Sequence, residues 1–206
     1  MRNWKKRYVD PSFKVGISIV TYNQTHCLAS LIHSIRSQGY DLYRGSIIHD
    51  GPWTDLAFKT CQNAIDGDTR FEMLASETRA NKFGHNLRQI GFDRAVADGC
   101  NWLCTMNGDC WYAPTYFEWM LSKATESNAN FIYSNLVHSH TLWQPLRAEV
   151  RRGCIDAGSW IAHTSLVGDT KWDNLSFAGD WDFIKRLKEK PNFKPAKVEG
   201  FIYVHN

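Results

Sequence analysis

Hydrophobic and polar positions alternate between two periods along the first half of this 206-residue chain. Short β-branched and apolar runs, of the length typical of buried strands, occupy residues 15–21, 45–49, 71–75 and 102–107. Apolar residues recur at helical spacing between them, over about residues 25–38, 54–64 and 86–97. Strands that alternate with helices predict βαβ units, and therefore an α/β fold with a mostly parallel central sheet flanked by helices.

The second half of the chain has a less regular pattern. Pro114 suits the first turn of a helix, and the apolar positions after it predict one carrying residues 116–121. Further extended or helical segments are predicted near residues 131–136, 143–147, 155–162, 181–188 and 198–204. No repeat, linker or low-complexity tract divides the sequence, so we expect one domain over residues 1–206, with a basic extension at residues 1–13.

Composition narrows the possible environments and partners. A net charge of +3 suits an anionic ligand but falls short of the basic surface of a nucleic-acid-binding protein. Six cysteines without a CxxC pair predict reduced thiols and a cytoplasmic location. No run is long enough to span a bilayer, whereas the basic and aromatic residues 2–8 predict either peripheral contact with an anionic membrane or a solvated extension.

Three predicted strands end in polar groups. They are followed by Thr21-Tyr22-Asn23, His49-Asp50-Gly51 and Asn107-Gly108-Asp109. Ligands of open α/β sheets bind beyond the carboxyl ends of the strands, and a carboxylate there can hold a divalent cation against a phosphate. Taken alone, Asn107-Gly108-Asp109 is also the sequence of an ordinary turn.

Two later stretches complete the series: residues 84–91, which read GHNLRQIG, and residues 178–182, which read AGDWD. In this order, over residues 15–205, the series resembles the family-2 glycosyltransferases, which have the GT-A fold. The resemblance implies inverting transfer of a sugar from a nucleotide-sugar, a UDP-sugar, to a hydroxyl of a saccharide or glycoconjugate, assisted by Mn²⁺ or Mg²⁺. It also implies a nucleotide-sugar-binding half (residues 14–110) and an acceptor-side half (residues 111–206).

The resemblance assigns donor-binding roles to the first strand ends. Tyr22, between Thr21 and Asn23, would bound the uracil ring, and Asp50 would accept a hydrogen bond from the uracil N–H. Arg88 would lie near the nucleotide or its phosphates. From the residues alone, Tyr22 could instead pack on the core, Asp50 could belong to a turn, and Arg88 could be a solvated helix-surface residue.

The metal-binding role falls on the end of the fourth strand. Asp109 would coordinate the cation, and His205, after the last strand, would be a second ligand. Gly108 and Asn107 would belong to the nucleotide-sugar site. Because Asn107 replaces the first Asp of the family's D-x-D, the neutral amide predicts weaker metal affinity.

The acceptor side would contain the general base. The resemblance assigns this role to Asp180, with Asp182 as its competitor, because Asp180 could instead cap the helix. Asp156 would hydrogen-bond sugar hydroxyls, and Trp160 would stack on a sugar face; Trp181 would lie with Asp182 on this side.

Two other functions remain open from the sequence. Asn107 makes a catalytically silent module that binds a sugar nucleotide or glycan credible. A sugar-nucleotide pyrophosphorylase would need a glycine-rich phosphate loop after the first strand, where residues 21–25 read TYNQT.

Overall fold

The computed structural model describes residues 7–206. Most of the basic run predicted to touch a membrane, residues 2–6, lies outside the described residues. Arg7 is described: its backbone N–H donates to the Glu118 carboxylate and its guanidinium lies 4.9 Å from the Trp119 ring centroid. Within residues 7–206, no helix has the length and apolar character to cross a bilayer.

The first half forms parallel βαβ units, as predicted. Its elements are β1 (Val15–Thr21), α1 (Thr25–Arg36), β2 (Tyr43–His49), α2 (Asp55–Ile65), β3 (Phe71–Ala75), α3 (His85–Ala97) and β4 (Trp102–Asn107). The strands lie in the order β3-β2-β1-β4 and all pair in parallel. Because the strand order reverses at β1, a crevice opens beyond the carboxyl ends of β1 and β4.

The second half extends the same sheet with mixed pairing. It consists of β5 (Cys110–Tyr112), α4 (Tyr116–Ser127), β6 (Phe131–His138), β7 (Pro145–Leu146), β8 (Trp160–His163), α5 (Thr164–Val167), α6 (Gly179–Lys188) and β9 (Pro195–His205). The order continues from β4 through β8, β6 and β9 to β5, and β7 pairs with β6. β8 is antiparallel to β4 and β6, whereas β9 is parallel to β6.

The segments predicted at residues 143–147 and 155–162 are mostly not strand. Only Pro145–Leu146 and Trp160–His163 pair in the sheet. Residues 157–159 form a 3₁₀ turn instead, because the Asp156 side chain accepts a hydrogen bond from the Gly158 backbone N–H. Local side-chain bonding of this kind competes with strand pairing.

The hydrophobic core lies on both faces of the sheet. Every residue of β1 is buried, and α1 packs its apolar stripe, which includes Leu28, Leu31 and Ile32, into the larger core cluster. A second cluster is aromatic, with the rings of Trp172 and Phe183 stacked at 4.2 Å between centroids. Burial of each large side chain contributes about 1.5–3 kcal/mol, so the two clusters hold the strand ends rigidly in place.

Candidate active site

A cleft of about 470 Å³ lies beyond the ends of β1 and β4. It brings together residues from distant parts of the sequence. The predicted site residues that line it are Thr21, Tyr22, Asp50, Arg88, Asn107, Asp109 and Asp180. A carboxylate from each half of the chain therefore faces the same space.

Asp50 fixes one wall of the cleft. Its two carboxylate oxygens accept the backbone N–H groups of Ala80 and Asn81 at 2.7 and 3.0 Å. The segment it holds is strained, since Asn81 and Phe83 have φ of 51° and 54°, in the left-handed region. Each carboxylate oxygen has a second lone pair, so Asp50 retains the capacity to accept another donor.

Tyr22 lies on the rim of the cleft and is 37% exposed, so the alternative of a core tyrosine is wrong. The Arg79 guanidinium lies 3.7 Å from its ring centroid, a cation–π contact. The neighbouring Asn23 has a φ of 52° and donates its backbone N–H to His49 Nε2 at 3.4 Å. Asn23 supports the turn and is not among the residues that line the cleft.

Arg88 is buried, so its interpretation as a solvated helix-surface residue is wrong. Its Nε donates to Thr105 Oγ1 at 2.9 Å and its Nη1 to the Phe83 carbonyl at 2.9 Å. Its Nη2 donates to Asn107 Oδ1 at 2.7 Å. The planar fork of donors matches these acceptors, and the bond from Arg88 leaves the Asn107 amide oxygen one lone pair.

Asp180 lies in the first turn of α6 and meets this guanidinium. Its Oδ1 is 3.2 Å from Arg88 Nη1 and 3.4 Å from His85 Nδ1. His85 Nε2 lies 3.0 Å from the Ser176 carbonyl and must donate to it, so Nδ1 accepts from Arg88 Nη1 at 2.6 Å. Burial and the Arg88 charge lower the pKa of His85 despite the opposing charge of Asp180, which keeps the ring neutral.

The tip of β4 contains the predicted metal ligand. Asp109 Oδ2 accepts from Gln24 Nε2 at 3.0 Å, and its Oδ1 lies 3.7 Å from His205 Nε2. The preceding Gly108 does not line the cleft; a Cβ there would lie 2.7 Å from Thr21 Oγ1, so only glycine lets this tip pass β1 closely.

The residues present fit a divalent cation. Two ligand atoms at about 2.1 Å from a metal ion are about 3.0–3.4 Å apart in octahedral or tetrahedral geometry, close to the observed separation. One carboxylate oxygen and one imidazole nitrogen suit Mn²⁺ better than Mg²⁺. The Cys110 Sγ lies within 4.8 Å of ligand atoms of both Asp109 and His205, and burial raises the pKa of its thiol well above the ordinary value. Asn107 Oδ1 already accepts from Arg88 Nη2 and, as a neutral amide, adds no negative charge to this set.

Neither His205 nor its partner Asp156 is among the residues that line the cleft. Asp156 Oδ2 is 2.8 Å from His205 Nδ1. Burial alone would raise the pKa of Asp156, but the hydrogen bond and charge of His205, with the Tyr203 hydroxyl, lower it to about 2. Burial lowers the pKa of His205, and the hydrogen bond and charge of Asp156, with Asp109, reverse this to a net increase.

The stacking role predicted for Trp160 is wrong. β8 lies between β4 and β6, and the Trp160 ring is fully buried 5.6 Å from Phe131 and 5.9 Å from Phe183. No face of the ring is open to a sugar.

The two other residues predicted on this side are also turned to other contacts. Trp181 packs partly buried against the aromatic cluster. Asp182 Oδ2 is 3.0 Å from Arg186 Nε, one helical turn on, and neither residue lines the cleft.

The sequence did not identify several residues that line the cleft: Gln24, Arg79, Asn81, Phe83, His85 and Phe177. His85 lies within the stretch quoted for the resemblance, beside Arg88, and its position three residues away on a helix was a usable signal. Phe83 and Phe177 are 57% and 84% exposed, with ring centroids 5.7 Å apart. No sequence pattern marks them, since their meeting depends on the tertiary fold.

Comparison with known proteins gives a family and a fold. Residues 17–177 match the family model described as Glycosyl transferase family 2. No curated protein matches the sequence. The fold is similar to S. aureus TarS 1-349, with a TM-score of 0.75 and 14% identity, covering 94% of this chain and 60% of that one.

Two ligand complexes of the same protein are also similar. The complex with UDP has a TM-score of 0.75 and 12% identity over 93% of this chain and 60% of that one. The complex with UDP-GlcNAc has a TM-score of 0.75 and 11% identity over 93% and 58%. The chain spans about three fifths of the length of these structures.

Proposed function

This chain belongs to glycosyl transferase family 2, and we propose that, as a glycosyltransferase, it inverts the anomeric carbon of a UDP-sugar while transferring the sugar to a hydroxyl of a saccharide or glycoconjugate. One observation carries the proposal: Asp50, Asp109 and Asp180 line a single cleft at the point where the strand order reverses. In this assignment, residues 14–110 bind the nucleotide-sugar and residues 111–206 form the acceptor side.

The uridine would lie along the ends of β1 and β2. Tyr22 and Arg79 offer a ring and a cation on the rim, and Asp50 has lone pairs left for the uracil N–H. Thr21 lies on the same wall, and its buried Oγ1 has no hydrogen-bond partner among residues 7–206. The UDP and UDP-GlcNAc complexes of the similar TarS support a uridine donor.

The diphosphate would lie at the tip of β4. Asp109 and His205 would hold Mn²⁺ or Mg²⁺, which supplies neutralisation of the charge on the departing diphosphate. Arg88 supplies a fixed positive charge at the same edge, and Asn107, being neutral, leaves Asp180 as the carboxylate that faces its guanidinium. The positive charge of Arg88 would therefore supply part of the neutralisation of the diphosphate that a metal ion held by a second Asp would otherwise supply.

Asp180 is assigned the general base. Its Oδ1 faces Arg88 and His85, so we assign proton transfer to Oδ2. The acceptor oxygen loses its proton to this carboxylate as it bonds to the anomeric carbon, while the bond from that carbon to the diphosphate oxygen breaks on the opposite face. Phe83 and Phe177, on the rim of the same cleft, would pack against the acceptor sugar.

A substitution of Asp180 tests the chemistry directly. Asp180→Asn preserves the shape of the side chain, and we expect UDP release from a UDP-sugar to slow by about 10²–10⁴-fold, with the Kd for UDP unchanged. Asp182→Asn, on the same helix but outside the cleft, is the matched control and should retain turnover. A loss of UDP affinity equal to the loss of turnover would contradict the role of base.

The donor is tested by a thermal-shift screen of nucleotide-sugars with and without Mn²⁺. A ligand that binds only the folded chain raises its apparent stability, so UDP-sugars should give the largest shifts. Larger shifts with GDP- or dTDP-sugars would overturn the uracil role of Asp50.

A catalytically silent sugar-nucleotide-binding module is the second candidate, and the replacement of the first D-x-D acid by Asn107 favours it. Turnover separates the two functions, since a silent module would bind the donor without releasing UDP. We also propose a reducing cytoplasmic location, which the six unpaired cysteines support.

A further inference from the structure

Asp156 has three hydrogen-bond partners, one of which is His205, a proposed ligand of the cation. Its Oδ1 accepts the Tyr203 hydroxyl at 2.6 Å and the Gly158 backbone N–H at 2.8 Å. Its Oδ2 is 2.8 Å from His205 Nδ1. Both oxygens are therefore engaged within the protein, and Asp156 is not among the residues that line the cleft.

The surrounding turn is rigid as well. A Cβ on Gly158 would lie 2.5 Å from Tyr203 Oη and 2.6 Å from Tyr112 Oη, so only glycine fits between the two rings. Tyr112 donates its hydroxyl to the Gly158 carbonyl at 3.0 Å. Because Tyr203 gives its proton to Asp156, the Cys110 thiol, 3.1 Å away, must donate to Tyr203. The carboxylate thus ends a continuous chain of buried hydrogen bonds.

This network determines which nitrogen of His205 faces Asp109. An ionised carboxylate only accepts hydrogen bonds, so His205 Nδ1 carries the proton that it shares with Asp156. The opposite nitrogen, Nε2, then faces Asp109 Oδ1 at 3.7 Å. A histidine that binds a metal ion commonly donates its other ring N–H to a carboxylate, which fixes the orientation of the ring.

We propose that Asp156 is the positioning residue of the cation site: it holds His205 with Nε2 directed at Asp109 and thereby sets the affinity for a divalent cation. This inference rests on the metal role of Asp109 and His205 in the proposed function. It replaces the sugar-binding role that the sequence suggested for Asp156.

His138 offers a competing arrangement. Its Nε2 lies 3.9 Å from Asp156 Oδ2, and its ring centroid is 4.4 Å from that of His205. A cation held by His138, Asp156 and His205 would use His205 Nδ1 and would make Asp156 a ligand. The two arrangements differ in what they predict for the removal of His138: a loss of cation affinity if His138 is a ligand, and almost no change if it is not.

The test is the affinity of the full chain for Mn²⁺ in the absence of donor. The affinity is measured from the electron paramagnetic resonance signal of free Mn²⁺ and by calorimetry. We expect Asp156→Asn to weaken binding by about 10–100-fold and His205→Ala by at least as much. The double variant should bind no more weakly than His205→Ala, because Asp156 acts through His205. His138→Ala and the remote Asp182→Asn should change the Kd by less than about threefold, in line with groups outside the site.

Pulsed resonance of the bound Mn²⁺ supplies a readout that a purely structural role would not change. The wild type should show coupling to one imidazole nitrogen, which His205→Ala abolishes and Asp156→Asn reduces. Tyr203→Phe serves as a second variant if Asp156→Asn does not fold. It removes a hydrogen-bond partner of Asp156 and leaves His205 in place, and it should also weaken Mn²⁺ binding.

Wild-type affinity in Asp156→Asn, or an equal loss in His138→Ala and His205→Ala, would overturn the inference. Mn²⁺ binding requires no turnover, so an inactive chain with the expected Mn²⁺ affinities would refute only the proposed function. An active wild type whose bound Mn²⁺ lacks nitrogen coupling would refute the metal role of His205 and the positioning role of Asp156, while the glycosyl transfer itself would stand.

Discussion

Arg88→Ala removes a buried cation on which the cleft wall depends. The wild-type residue is 3% exposed, and its guanidinium donates to Thr105, to the Phe83 carbonyl and to Asn107. Its loss leaves these acceptors without their donor. It also removes the cation that faces Asp180 at 3.2 Å.

The expected magnitude follows from these contacts. Breaking a buried charge pair costs about 3–5 kcal/mol, and the partial exposure of Asp180 places this contribution at the low end of that range. The three acceptors left without a donor add to the cost, so we expect the free energy of unfolding to fall by about 4 kcal/mol in total. Arg88→Lys keeps the charge, but one ammonium group cannot reach Thr105 and Asn107 together. The lysine variant should therefore lose about 2 kcal/mol.

Urea denaturation followed by circular dichroism measures both values. Arg94→Ala is the matched control, because Arg94 is exposed on the same helix, and it should stay within about 0.5 kcal/mol of the wild type. If Arg88→Ala unfolds within about 1 kcal/mol of the wild type, the buried network is not a stabilising unit and the reasoning fails.

Two further predictions concern pH and the acceptor. The lowered pKa of Asp156, about 2, adds about 2 kcal/mol of stability above pH 4 that is lost as the pH falls toward 2. The raised pKa of His205 adds stability below about pH 6.5 that is lost as the pH rises through the folded-state value. In EDTA, the stability difference between wild type and Asp156→Asn should thus be largest between about pH 4 and 6.5, and a flat difference from pH 3 to 8 would contradict it. Phe177→Ala should raise the KM for a saccharide acceptor about three- to tenfold, with donor hydrolysis unchanged. Phe201→Ala, also exposed but outside the cleft, is its control; an equal effect of both would remove the acceptor role.

The parallel half of the fold was predictable because its information is local. The β-branched run at residues 15–21 matches β1 at both ends, and apolar spacing located α1 and α3 within two residues at most of their termini. The turn at residues 156–159 was not predictable. It depends on contacts with Tyr112 and Tyr203, which lie about 45 residues away along the chain in either direction.

The candidate site also contains residues that the sequence located and residues whose placement it did not predict. Asp50 and Asp109 were located because they follow strand ends that meet at the reversal of strand order, whereas Asp180 was located only through the family resemblance. Sequence position alone does not say which side of a strand end a side chain faces. Trp160 therefore lies in the core, and Asp156 binds His205 instead of facing the cleft.

The path of β9 has a consequence for folding. This strand pairs His205 with both Cys110 of β5 and His138 of β6, so the histidine reaches Asp109 only after the mixed half of the sheet has closed. Contacts such as Gln24–Asp109 and Cys110–Tyr203 span 85 and 93 positions, and closing loops of that length is slow. Detachment of β9 alone would separate Asp109 from His205, the two side chains proposed to bind a cation, while leaving β3-β2-β1-β4 paired. On that proposal, the capacity to bind a cation would report the completion of folding.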